Sequence, residues 1–178
     1  MQKEFSYPLK IEELGQGQQS YKLSADKDEL KILAEILQVQ AVNSFNAEMK
    51  LNFKKKQGEL KVSGTVNANL SLISVISLTP FNKDYSTDFE VLYDTNASYE
   101  DVYGDDEDIE LDVPDIVIDG TINLADIAIE QLALVMEDYP RLEGEEFEAV
   151  IEEDDDDNED IANNPFAVLK KLKENMEN

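Results

Sequence analysis

The stretch VQAVNSFNAEMKLNF (39–53), with KKKQG (54–58) and ELKVSGTVNANLSL (59–72) behind it, decides the fold. Val39, Ala41, Asn43, Phe45, Ala47, Met49, Leu51 and Phe53 recur at every second position, the period of a strand with one buried face. Leu60, Val62, Val66, Ala68, Leu70 and Leu72 take up the same period after a Lys-Gly turn. Two long strands joined by so short a loop pair antiparallel. Downstream, Tyr85, Thr87, Phe89, Val91 and Tyr93 predict a third such strand. Upstream, Phe5, Tyr7, Leu9 and Ile11 alternate, with Pro8 marking an edge, and the turn Gly15-Gln16-Gly17 leads to Tyr21 and Leu23. Asp26 followed by Glu29 predicts a capping box, and Leu30, Leu33, Ala34 and Leu37 follow at helical spacing. Val113–Ile118 predicts a short strand ended by Asp119-Gly120. Asn123 then caps a helix with Leu124, Ile127, Ala128, Leu132 and Val135 along one side, widened by Ile129, Leu134 and Met136. The fold class is α+β, an antiparallel β-meander of long strands packed with one or two helices.

Charge divides the 178 residues into two unlike halves. Met1 to Lys83 holds eleven Lys and nine acidic residues, net +2, whereas Asp84 to Asn178 holds four basic and thirty-two acidic residues, net −28. Acidic clusters run from Glu100 to Asp112 and from Glu143 to Asp160. Blocks of like charge repel and stay solvated, which predicts a loop near 100–110 and a flexible acidic linker over 143–163. The domain reading is a single α+β domain at 1–142, that linker, and a short C-terminal helix at 164–178, with Asn164 as N-cap and Pro165 in the first turn.

A net charge of −26 opposes binding to DNA or an anionic membrane surface and favours basic proteins as partners. The absence of Cys and His removes the usual nucleophilic triads, thiolate chemistry and imidazole ligands, so the reading is a protein without enzymatic activity, cofactor or metal. Carboxylates could still serve a hydrolase, but that needs a desolvated pair, and most of these lie in runs. Asp154–Asp160 fails the calcium-loop pattern, with Glu159 where Gly is needed and Pro165 where Glu is needed. The start MQKEFSYPLK has no apolar h-region, and no apolar run suits a spanning helix, which reads as cytoplasmic.

Two features suggest contacts. Lys54, Lys55 and Lys56, with Lys50 and Lys61 nearby, form the basic cluster of the body and a possible RNA contact, although no aromatic residues interleave for base stacking. In the C-terminal helix Phe166, Leu169 and Leu172 make an apolar stripe beside Lys170, Lys171 and Lys173, a candidate partner-binding face.

The segment LISVISLTPF (72–81) resembles the signature L-x-C-x-x-C-L-x-P-F of the YceD family, the large ribosomal RNA subunit accumulation proteins. Leu72, Leu78, Pro80 and Phe81 match, and Ser74 and Ser77 stand at the cysteine positions. INLADIAIEQLAL (122–134) is similar to the family's I-D-L-x-E-x-x-x-E-Q-L-L-L stretch, and NNPFAVLKKL (163–172) to its usual ending. The resemblance implies a bacterial, non-enzymatic factor supporting accumulation of 23S ribosomal RNA and assembly of the large subunit. Many members carry a second cysteine pair after the helix, which would suit structural zinc. Here that region reads EDYPRLEGEE (137–146), without Cys, so Val75, Ile76 and Leu78 are expected to close the Ser74–Ser77 turn by apolar packing. The expected partner is a basic ribosomal protein or large-subunit precursor, met by the acidic half, with 23S ribosomal RNA as a secondary contact.

Overall fold

The structure is a computed structural model that describes residues 4–97 and 114–146. The expected loop near 100–110, the linker beyond 146 and the C-terminal helix with Phe166, Leu169, Leu172, Lys170 and Lys171 lie outside the described residues.

Strands β1 (Pro8–Lys10), β2 (Gly17–Ser24), β3 (Ala41–Lys54), β4 (Glu59–Ile73), β5 (Pro80–Asp94), β6 (Asp115–Ile116) and β7 (Thr121–Asn123) and helices α1 (Lys27–Ile36) and α2 (Leu124–Ala133) make up the body. Five strands form one sheet in the order β2-β3-β4-β5-β6, and β1 pairs with β7 in a separate two-stranded sheet. The meander β2 to β5 is antiparallel throughout, as its short connections require. β6 departs from it by pairing parallel to Tyr93–Asp94. Parallel pairing needs a connection much longer than a hairpin turn, and the chain between Asp94 and Asp115 supplies that length.

Period-two patterning becomes a two-faced sheet. Phe45, Ala47, Met49, Leu51 and Phe53 on β3 and Leu60, Val62, Val66, Ala68 and Leu70 on β4 are buried. Burial of each larger side chain contributes about 1.5–3 kcal/mol. Alternation does not run unbroken to Ala41, however. A register shift between Val42 and Ser44 turns Val42 inward and Asn43 outward. Once outside, the Asn43 amide donates to Asn69 Oδ1 (2.7 Å) and Ser71 Oγ (2.9 Å), so the bulge trades alternation for a polar cross-strand network. Gly64 belongs to the same hairpin because a Cβ there would lie 2.3 Å from the Glu48 carbonyl oxygen of β3.

Both helices cover the inner face. Asp26 caps α1 through the Asp28 and Glu29 amides (both 3.0 Å), and Glu29 Oε2 accepts from the Asp26 amide at 2.8 Å, completing the capping box. Leu33 is fully buried, and α1 packs on β3. Asn123 Oδ1 accepts from the amides of Ala125 (3.2 Å) and Tyr7 (2.7 Å), so one side chain caps α2 and fixes β1 beside it. Leu124, Ala125, Ile127, Ala128 and Leu132 are buried as α2 packs on β4, β5 and β1. The helix ends at Ala133, short of the expected Leu134, Val135 and Met136. Leu134 (72% exposed) and Val135 (42%) consequently fall outside the apolar stripe that the sequence assigned them.

Candidate functional site

The motif segment 72–81 spans the turn between β4 and β5. Leu72 is buried and pairs with half-buried Phe81, while Ile73 pairs with Pro80 at the last rung of the ladder. Ser74 is fully buried. Its amide donates to the Thr79 carbonyl at 3.0 Å, and its own carbonyl accepts from the Leu78 amide at 3.0 Å. The hydroxyl accepts from the amides of Ile76 (3.2 Å) and Ser77 (3.3 Å) and donates to Glu145 Oε2. Glu145 is thereby brought 71 residues back to the turn, where its Oε2 also accepts from the Leu142 amide at 3.0 Å. Hydrogen bonds from Ser74 and Ser77 hold the Glu145 carboxyl below its ordinary pKa, with a smaller contribution from the Leu142 amide. Val75 donates its amide to the Pro140 carbonyl at 2.9 Å, fastening the two segments a second time.

The clasp corrects the expected closure by apolar side chains. Val75 is 49% exposed and Leu78 74% exposed, and only Ile76 is half-buried. Leu78 takes a left-handed φ of +57° with its side chain outside, and the small buried serine and a distant carboxylate do the closing. The donors do not fit the structural zinc that two cysteine pairs would suit. Neutral hydroxyls are weak zinc ligands, and the Ser74 oxygen is already engaged with two amides and a carboxylate. Sequence reasoning missed Glu145 because it sits at the head of an acidic run. The available signal was Gly144, whose φ of +85° makes the bend that returns Glu145 to Leu142.

At the opposite end of β4, Lys54, Lys55 and Lys56 occupy the end of β3 and the turn into β4. Lys54 is paired with Glu59 and Lys61 with Glu90 (2.6 Å). Among the described residues Lys50, Lys55 and Lys56 make no ion pair, so the expected basic cluster divides into cations with and without an ion-pair partner. It lies at the far end of β4 from the Ser74 turn, and the two form no common site.

Fold and motif together define a class, an α+β protein in which a long antiparallel sheet is closed at its motif turn by a segment following the second helix. Comparison with known families matches residues 62–173 to the large ribosomal RNA subunit accumulation protein YceD. That match covers more than half of the chain, and the chain belongs to the YceD family. Its role is therefore in accumulation of large-subunit ribosomal RNA. No curated protein and no solved structure matches it. Among the described residues no helix is long and apolar enough to cross a membrane.

Proposed function

We propose that the protein supports 23S ribosomal RNA accumulation and large-subunit assembly as a non-enzymatic factor whose acidic half receives a basic ribosomal protein or assembly partner. The observation that carries this reading is the charge asymmetry, net +2 over 1–83 against net −28 over 84–178. Such a field raises the encounter rate with a cationic protein, disfavours free RNA, and gives a complex that weakens with salt. A basic ribosomal protein held this way stays soluble until its RNA site displaces the carrier. The supporting experiment is capture of partners on the purified full chain at low and high salt, with proteins and RNA both identified. Large-subunit proteins enriched at low salt and released at high salt are expected. Recovery of RNA alone, or of nothing at either salt, contradicts the reading.

Lys55 and Lys56, which make no ion pair among the described residues, favour a second, smaller contact with Lys50 nearby, in which phosphates of 23S ribosomal RNA meet the β3–β4 turn. Replacing Lys55 and Lys56 by Ala should then weaken RNA recovery without changing the recovered proteins.

A further inference from the structure

A groove of about 660 Å³ lies between the ends of the two helices and the last rung of β4. Apolar and polar surface line it in nearly equal measure. Ile129 and Met136 pack on the core, whereas Ile36 is 51% and Ile73 is 38% exposed. The chain that leaves α2 along its rim carries three further exposed apolar residues, Leu134, Val135 and Tyr139 (78%). This concentration at one end of the fold differs from single exposed apolar residues scattered over a surface.

The electrostatics of the groove favour a cation. Both α1 and α2 end there, with Ile36 and Ala133 among its lining residues, and neither helix carries a basic residue in its last turn. Two helix C-termini with their partial negative charges therefore meet at one place without the cation that commonly offsets them. Glu137 and Asp138 also line the groove. Lys83 offsets the first at 2.5 Å, and Asp138 makes no ion pair among the described residues.

We infer that this groove is the anchoring site for a cationic amphipathic segment of the protein partner, whose apolar side chains fill the space between Ile36 and Ile73 while its Lys or Arg residues face Asp138 and the two helix ends. The inference rests on the proposed carriage of a basic protein and adds to it a location and an apolar requirement. A second copy of the chain is a poor occupant because each copy brings a net charge of −26. RNA is a poor occupant because the helix ends and carboxylates would repel its phosphates.

The test uses the full chain labelled at isoleucine and methionine methyl groups, with two synthetic peptides of equal length and charge. One carries Leu on one helical face and Lys and Arg on the other, and its control has Ser in place of each Leu. The amphipathic peptide should shift the methyls of Ile36, Ile73, Ile129 and Met136 in a saturable way, and the control should leave them unmoved. Ile36→Ser with Ile73→Ser, both at exposed positions, should weaken the first peptide about tenfold at unchanged melting temperature. Asp138→Asn should weaken it less and flatten its salt dependence. If the amphipathic peptide binds without moving these methyls, the groove is not the anchor, and the acidic-half reading survives. If neither peptide binds at low salt, that reading fails and the inference with it. Methyl shifts produced by raising protein concentration alone, or by a single-stranded RNA oligonucleotide, would assign the groove to another occupant and overturn the inference.

Discussion

The two ends of β4 are closed by opposite means. At the β3–β4 end the turn itself is closed by neighbours in sequence. Gln57 donates to the Lys54 carbonyl at 2.9 Å, Gly58 takes φ +69°, and Lys54 pairs with Glu59 across the first rung. Distant strands flank it, with Gly17 beside Phe53 and Asp94 beside Glu59, and the Thr95 amide donates to the Gly58 carbonyl at 2.8 Å. At the β4–β5 end the turn is completed by Glu145 and Pro140, residues that follow α2. One end can form as soon as its hairpin does. The other is complete only with the segment that follows α2 in place.

The hairpin common to both ends gives the largest expected effect. Phe45 is 1% exposed and stacks edge-on against Phe5 at 5.4 Å, so Phe45→Ala should cost about 3–5 kcal/mol and lower the melting temperature sharply. Hydrogen exchange should then quicken at both ends alike. Ser74→Ala should separate them. It leaves the Ile76 and Ser77 amides and the Glu145 carboxylate without their common partner, a loss of about 1–3 kcal/mol. Exchange should accelerate at Val75 and Leu78 and stay unchanged at Gln57 and Thr95. Equal acceleration at the two ends would erase the distinction drawn between them.

Gly58→Ala is the reciprocal probe, expected to cost about 1 kcal/mol by forcing a side chain into the left-handed region and against the movable end of Asn96. Only the Lys54–Glu59 end should loosen. Acid gives a finer separation. Because hydrogen bonds depress the Glu145 pKa in the folded state, its stabilisation is present above the ordinary carboxylate value of 4.5 and is lost as pH falls through the depressed one. The stability advantage of the wild type over Glu145→Gln should therefore be constant near neutrality and vanish in acid. An advantage that persists below the depressed value would assign it to packing rather than charge. Smallest of all, Lys55→Ala and Lys56→Ala should change stability by no more than about 0.5 kcal/mol, since both are exposed and neither makes an ion pair among the described residues.

The same contrast explains what the sequence discloses. The long strands, the Asp26 capping box and the Asn123 cap rest on signals a few residues apart, and the structure contains them where the spacing indicates. Val42 escaped because a bulge shifts the phase of alternation without any glycine or proline to announce it. Leu134 and Val135 escaped because helical spacing continues in the sequence beyond the point where α2 stops at Ala133. Glu145 was hidden for a different reason. Its partner is 71 residues away, and its neighbours Glu143 and Glu146 carry the same charge but sit exposed. Among its described residues, the charge run conceals a carboxylate that is structurally engaged.

The most direct test of the account is the ratio of 23S to 16S ribosomal RNA in cells whose only copy of the protein has the acidic residues from Glu148 to Asp160 replaced by Gln and Asn. The body up to Glu145, with its Ser74 clasp, is left intact. If the acidic half receives a basic partner, 23S ribosomal RNA should fall while 16S holds, approaching the level in cells lacking the protein. An unchanged ratio, with the substituted protein present at its normal amount, would contradict the claim that this charge is what serves the large subunit.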